Sequence, residues 1–124
     1  MINQILKHFG KKAQVVPNMV NDVFLQHPIR INNEKSSFKF ISVGSLNKGK
    51  GFDLLIQAFS MINDKRAELI IIGDGDERNN LLNLALNFHV NERVHFLGKL
   101  DRDVICMNLA QADAFVLASK AETF

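Results

Sequence analysis

The sequence predicts an α/β protein with a doubly wound parallel sheet. Three stretches of strand length are predominantly apolar, at residues 38–43, 67–72 and 112–118. Such runs are typical of strands that are buried on both faces of a parallel sheet. A fourth stretch, residues 93–97, alternates apolar and polar side chains and suits a half-exposed edge strand. Helical patterns separate the four stretches, which indicates right-handed βαβ connections.

Three helices are expected between these strands. In residues 52–62, apolar side chains recur at steps of three and four residues, as they do in a helix that packs one face on a core. The second helix is expected from an N-cap at Asp76 to about Phe88, and the third from Asp101 or Asp103 to about Gln111. The side chains expected to point inward are Phe52, Leu55, Ile56, Phe59, Ile62, Leu81, Leu84, Ala85, Phe88, Val104, Ile105 and Leu109.

The strand order follows from the same patterns. An order of 3-2-1-4, with the alternating third strand at one edge, gives a Rossmann-like sheet. Ligands of such sheets bind outside the carboxyl ends of the strands, where the strand order reverses. That point lies between strands one and four, so residues 44–51 and 119–124 are expected to converge on one crevice.

The loop after the first strand, GSLNKGKG at residues 44–51, has the composition of a phosphate-binding connection. A helix start offers unpaired N–H groups and a positive dipole end, and glycines let the backbone approach a ligand. Lys50 would add a full positive charge at the same place. The alternative, which is favoured when a short motif is taken alone, is a tight strand–helix connection with surface lysines.

Composition excludes several classes of function. The net charge of +2 comes with no dominant block of Lys or Arg, which argues against a nucleic-acid partner. The four histidines lack metal-ligand spacing, and no apolar run approaches the roughly 20 residues that cross a bilayer. The single cysteine, Cys106, excludes an internal disulfide; we expect a small buried residue and a reducing, cytoplasmic compartment.

Five segments resemble, in family order, the C-terminal donor-binding domain of family 4 glycosyltransferases, the glycosyl transferases group 1, which have the GT-B fold. The segments are residues 15–18 (VVPN), 43–56 (VGSLNKGKGFDLLI), 72–78 (IGDGDER), 94–98 (VHFLG) and 112–124 (ADAFVLASKAETF). The resemblance implies a cytoplasmic, retaining enzyme of cell-surface polysaccharide biosynthesis. Its donor would be a nucleotide-diphosphate sugar, and neither a cofactor nor a metal is expected.

The resemblance also implies roles for individual residues. Lys50 would neutralise the diphosphate, with the backbone of Gly44 lying against it. Glu122 would be the catalytic carboxylate, facing the hydroxyl groups of the donor sugar. The other substrate-binding residues would be Ser45 and Gly51 in the phosphate loop, and Phe96, Leu97, Lys99 and Leu100 around the nucleotide base. Ser45 departs from the family, which often has arginine at that place, so one phosphate contact is missing or replaced.

Two domains are expected from the same resemblance. Residues 1–16 would be a terminal helix and strand that belong to, or pack on, a missing N-terminal acceptor domain, and residues 17–124 a nucleotide-sugar-binding domain incomplete at its C-terminus. Residues 2–9 have an apolar helical face with lysines nearby, so contact with a membrane is the alternative to packing on a domain. This leaves open a peripheral association of the full enzyme with the inner face of the membrane.

A second function stays open at this point, namely a non-catalytic α/β module that binds nucleotide or protein as a remnant of such an enzyme. Under either interpretation, the 124-residue chain alone is predicted to lack transferase activity, because catalysis requires donor and acceptor to be held in one geometry. Incubation with several nucleotide-sugars and acceptors should yield no glycoside. Turnover at ordinary enzymatic rates would contradict the prediction.

Overall fold

The computed structural model describes residues 37–120, and the four predicted strands and three predicted helices are present in that range. The elements are β1 (Phe38–Val43), α1 (Phe52–Ser60), β2 (Ala67–Ile72), α2 (Arg78–Asn87), β3 (Val94–Gly98), α3 (Arg102–Gln111) and β4 (Ala114–Phe115), with a 3-10 turn at Lys48–Lys50. The helix predicted at residues 2–9, the domain boundary between residues 16 and 17, and Glu122 lie outside the described residues.

The four strands form one parallel sheet in the order β3-β2-β1-β4, which confirms the predicted order. β1 and β2 pair along their whole length, from Phe38 opposite Ala67 to Val43 opposite Ile72. The strand with alternating polarity, β3, lies at one edge as expected. The switch point between β1 and β4 is therefore where the sequence predicts it.

The main core lies between the sheet and helices α1 and α2. α1 buries Phe52, Leu55, Ile56 and Phe59, each worth about 1.5–3 kcal/mol relative to an exposed side chain. The cluster also contains Leu46, Ala67, Leu69, Ile71, Leu81, Ala85, Val90 and Val94. This packing anchors the start of α1 at the carboxyl end of β1.

The start of α2 differs from the prediction. Glu77, not Asp76, is the N-cap residue, and its side chain makes no capping hydrogen bond within residues 37–120. The Arg78 N–H donates to the Gly75 carbonyl at 3.1 Å, and the Glu77 N–H donates to the Leu46 carbonyl at 3.0 Å. Main-chain carbonyls therefore satisfy the N–H groups of Glu77 and Arg78 at the start of the helix.

β4 is much shorter than the predicted strand at residues 112–118. Only Ala114 and Phe115 pair with β1, flanked by a bond from the Asp113 N–H to the Lys39 carbonyl and one from the Val116 N–H to the Ile41 carbonyl. Beyond Val116 the chain turns toward the loop after β1, which ends the ladder early.

The helix faces were predicted less well than the strands. Val104 and Phe88 were expected to point inward, but they are 40% and 37% exposed. Cys106 is the buried residue of α3, as expected for the single cysteine. α1 ends at Ser60 rather than Ile62, so the predicted helix was two residues too long.

The guanidinium group of Arg93 joins the elements at the amino-terminal end of the sheet. Its nitrogens donate to the carbonyl oxygens of Asp64 at 3.1 Å, Ala67 at 3.5 Å and Ile62 at 3.3 Å. The guanidinium carbon also lies 4.9 Å from the centroid of the Phe59 ring. One side chain thus connects the end of α1, the entry to β2 and the entry to β3.

An exposed ion pair occupies the same end. The side chain of Arg66 donates to Asp64, and this hydrogen bond lowers the pKa of Asp64 from 3.8 to about 2. Because the folded-state pKa is the lower one, any stabilisation is present above pH 3.8 and disappears as the pH falls through about 2.

We predict that Arg93→Met lowers the free energy of unfolding by about 2 kcal/mol, because part-buried carbonyls lose a charged donor. Arg93→Lys should recover only part of the loss, since one ammonium group does not reproduce the planar guanidinium fork. Urea unfolding measures both. The control is Arg102→Met, at an exposed position, which should change stability by about 0.5 kcal/mol or less. Equal losses at the two arginines would contradict the assignment.

Candidate functional site

The loop after β1 is compact and built around one buried side chain. Leu46 is fully buried in the core, although polar residues surround it in the sequence. Asn47 caps the 3-10 turn, because its side-chain oxygen accepts a hydrogen bond from the Gly49 N–H at 3.0 Å. Gly51, with φ +64°, ends the turn, and α1 starts at Phe52. The predicted strand–glycine loop–helix unit is therefore present.

Hydrogen bonds hold this loop against the loop after β2. The Gly44 N–H donates to the Ile72 carbonyl at 2.9 Å, and the Leu46 N–H donates to the Asp74 carbonyl at 3.0 Å. The Leu46 carbonyl accepts from the Glu77 N–H at 3.0 Å. The two loops form one continuous backbone surface at the carboxyl edge of the sheet.

Two glycines allow this approach. Gly73 has φ +140°, and a Cβ atom there would lie 1.8 Å from the Gly44 carbonyl oxygen. At Gly75 a Cβ atom would lie 2.5 Å from the Leu46 carbonyl oxygen. Both are too close for any side chain, so these glycines are required by the contact between loops. Gly73 lies in the turn before α2, where its positive φ favours glycine.

The segment after β4 packs on the other side of the same loop. The Lys120 N–H donates to the Gly49 carbonyl at 2.9 Å. A Cβ atom at Gly51 would lie 2.0 Å from the Ala118 carbonyl oxygen. The convergence predicted for residues 44–51 and 119–124 is confirmed as far as Lys120, the last described residue.

A cleft of about 140 Å³ opens beside these contacts. Two apolar side chains, Phe52 and Leu81, contribute buried surface, and polar or charged side chains make up the rest of the lining. The ammonium group of Lys120 lies 3.5 Å from the Asp53 carboxylate in the first turn of α1. The cleft is lined by Asn47, Lys48, Phe52, Asp53, Glu77, Leu81 and Lys120.

The residues predicted to bind substrate fall into two groups. Gly44, Ser45, Lys50 and Gly51 lie in the loop after β1, but the lysine of that loop that lines the cleft is Lys48. Lys50 ends the 3-10 turn, is half-buried, and donates its backbone N–H to Asn47. The second group, Phe96, Leu97, Lys99 and Leu100, lies at and just after the end of β3, on the far side of β2.

Few main-chain donors of the loop remain for a ligand. Gly44, Leu46, Asn47, Gly49 and Lys50 all use their N–H groups within the described fold. The exposed Ser45 N–H makes no hydrogen bond within residues 37–120, and the first-turn N–H groups of α1 have no partner inside the helix. These N–H groups are therefore available to an anion.

No three His, Cys, Asp or Glu side chains among residues 37–120 are grouped so that they could hold a metal ion. The helices of that range are too short or too polar to cross a membrane.

Sequence reasoning missed two features of this site. Leu46 anchors the loop, and its signal was an apolar residue inside a polar glycine segment. The contact between Asp53 and Lys120 had no such signal, because it depends on how β4 is placed beside β1.

We predict that Gly73→Ala lowers the free energy of unfolding by about 2 kcal/mol or more, because its Cβ atom would meet the Gly44 backbone at an unfavourable φ. Gly44→Ala is the matched control. Its Cβ atom would lie 3.7 Å from the Phe52 ring, an ordinary contact, and should cost about 0.5 kcal/mol or less. Urea unfolding of both variants tests the difference, and equal stability would show that the loops can separate freely.

Comparison with known proteins identifies relatives for this fold. Residues 26–124 match the sequence model of the family described as glycosyl transferases group 1. The chain is 35% identical over 122 residues to N-acetyl-alpha-D-glucosaminyl L-malate synthase of Bacillus anthracis. That match covers 93% of this chain and 32% of the relative, so the chain spans about a third of the relative's length.

Solved structures share the fold. WaaG, a glycosyltransferase involved in lipopolysaccharide biosynthesis, superposes with a TM-score of 0.73 at 21% identity, over 98% of this chain and 36% of WaaG. HepE of Anabaena, solved in complex with UDP-glucose, superposes with a TM-score of 0.61 at 24% identity, over 69% of this chain and 24% of HepE. The family match over residues 26–124 shows that the chain belongs to the glycosyl transferases group 1.

Proposed function

We propose that residues 17–124 form the donor-binding part of a retaining glycosyltransferase. The enzyme would take a sugar from a nucleotide diphosphate and transfer it to a glycan, a lipid or another acceptor held by an N-terminal domain. The observation that carries this proposal is the convergence of the loop after β1 and the segment after β4 at the switch point of the sheet. Both segments bring lysines to that point. Family membership supports the class of reaction.

The reaction breaks the bond between the sugar and the diphosphate, so negative charge develops on the leaving group. Lys50 and the positive end of α1 would stabilise that charge, since both lie at the end of the loop after β1. Preorganised positive groups of this kind need no reorganisation during the reaction. We therefore propose that Lys50 and the start of α1 bind the diphosphate without a metal cofactor.

Gly44 and Ser45 suit close approach of the ligand. Gly44 has no positive φ, and a Cβ atom would fit beside Phe52, so the packing of residues 37–120 does not require glycine there. Close contact between its backbone and a phosphate would explain why glycine occupies this position. Ser45 is exposed next to it and offers both an N–H group and a hydroxyl group.

The segment at the end of β3 would bracket the nucleotide base. Phe96 packs on the core and fixes the segment, while Leu97 is 42% exposed and presents an apolar surface. Lys99 is exposed and Leu100 partly so, which places a polar donor beside apolar area. An apolar surface with a polar donor beside it suits a nucleotide base, which is a flat ring with polar edges.

The donor sugar and the cellular setting are inferred from relatives. Because HepE was solved with UDP-glucose, a nucleotide-diphosphate sugar is the donor class that we propose. WaaG acts in lipopolysaccharide biosynthesis, and we propose a related role in cell-surface polysaccharide assembly, in the cytoplasm at the inner face of the membrane. Glu122, two residues after Lys120 in the sequence, would face the hydroxyl groups of the sugar.

We predict that Lys50→Ala lowers the affinity for UDP or GDP about tenfold or more, because the diphosphate loses a charge-assisted contact. Inorganic phosphate should compete with the nucleotide. Glu122→Ala should leave binding of the diphosphate unchanged and should remove the gain in affinity from an attached sugar. Calorimetry on the 124-residue chain measures each affinity.

The control for Lys50 is Lys65→Ala, an exposed lysine in the loop before β2 at the opposite end of the sheet. It should bind like the parent chain. Lys48→Ala is measured beside it, because Lys48 lines the cleft and a smaller loss is expected there. Equal losses at Lys48, Lys50 and Lys65 would indicate only a diffuse basic surface and would overturn the site assignment.

A further inference from the structure

The ion pair between Lys120 and Asp53 is placed where a phosphate ligand would compete for it. The Lys120 ammonium nitrogen lies 3.5 Å from the Asp53 carboxylate oxygen, and the two side chains are 51% and 49% exposed. Pairs of such exposure contribute little to stability, because water screens them and two flexible side chains must be ordered. The contact can therefore be exchanged for another anion at low cost.

The backbone of Lys120, in contrast, is held firmly. Its N–H donates to the Gly49 carbonyl at 2.9 Å, and the neighbouring Ala118 carbonyl packs against Gly51 without room for a Cβ atom. The base of the side chain is thus fixed against the loop after β1, and its flexible stem allows the ammonium group to move. The hydroxyl group of Ser119, the preceding residue, is buried and makes no hydrogen bond within residues 37–120. A hydroxyl group that can still make a hydrogen bond therefore lies in the residue next to Lys120.

The charged side chains that line the cleft determine how Asp53 affects the binding of an anion there. Two lysines, Lys48 and Lys120, line the cleft with two carboxylates, Asp53 and Glu77. A phosphate group would gain full attraction from Lys120 only when the ammonium group leaves Asp53. Asp53 also lies in the first turn of α1, where its negative charge opposes the binding of an anion at the helix start.

We propose that Lys120 is a phosphate-contacting residue of the donor site and that Asp53 competes with the phosphate for it. This inference rests on the proposed function and deepens it, since it assigns a second cation, from the segment after β4, to the diphosphate. The site is then built from both sides of the switch point. The strength of the ion pair between Asp53 and Lys120 then sets the affinity for the donor.

The test titrates inorganic pyrophosphate and UDP into the 124-residue chain and its single and double variants, with the melting temperature of each recorded. Lys120→Ala keeps the backbone bond to Gly49 and should lower the affinity for pyrophosphate about tenfold. Asp53→Asn should raise it several-fold. In the double variant, most of the gain from Asp53→Asn should disappear, because the lysine that it released is absent.

Glu77→Gln is the matched control for charge. It removes a carboxylate from the same cleft but leaves the pair of Asp53 and Lys120 intact, so its smaller gain should add to the loss from Lys120→Ala. Equal and additive gains from Asp53→Asn and Glu77→Gln would overturn the competition between Asp53 and the phosphate. A Lys120→Ala variant that binds like Lys65→Ala, while Lys50→Ala is weakened, would overturn this inference and leave the proposed function standing. If the parent chain binds neither probe, the proposed function and this inference both fail.

Discussion

Contact between backbones at glycine positions is the constraint on which the carboxyl edge of this sheet depends. The loop after β1 lies between the loop after β2 and the segment after β4, closer than any side chain would permit. Gly73 and Gly75 make room on one side and Gly51 on the other. Because carbonyl and N–H groups are paired across these contacts, the loops form one surface rather than three independent segments. The Ser45 N–H, which makes no hydrogen bond within residues 37–120, is thereby held in a fixed position at that surface.

The same packing divides the site into a rigid part and an adjustable part. Leu46 and Phe52 are buried in the core and hold the loop and the start of α1 in position. The charged ends of Lys48, Asp53 and Lys120 lie outside the core, where water screens their interactions. Under the proposed function, the backbone would supply specificity for a phosphate group, and side chains that cost little to rearrange would tune the affinity.

The polar groups at the two ends of the sheet have different roles. At the amino end, Arg93 donates to three carbonyls and packs on Phe59, so its polar groups are used for stability. At the carboxyl end, within residues 37–120, the Ser45 N–H and the first turn of α1 are left for other partners, and the ammonium group of Lys120 is held only by an exposed ion pair. This asymmetry agrees with the rule that ligands of open α/β sheets bind at the carboxyl ends of the strands.

Local patterns in the sequence determined the sheet. β1 and β2 match their predicted bounds residue for residue, because apolar runs of strand length end at polar or glycine positions. The position of β3 at an edge followed from the same runs, since alternating polarity suits a half-exposed strand, whereas the apolar β4 lies at the other edge of the described sheet. The placement of the loop after β1 at the switch point was also predictable.

Tertiary structure decided the rest, because the deciding partners lie far apart in the sequence. The start of α2 at Arg78 depends on the Leu46 carbonyl, which no local pattern around Asp76 reveals. β4 stops at Phe115 because the chain beyond it turns to meet the loop after β1. The pairing of Lys120 with Asp53 likewise exists only once β4 lies beside β1. Sequence periodicity reports which side chains leave water, whereas hydrogen-bond partners and charge neighbours are fixed only when the strands are assembled.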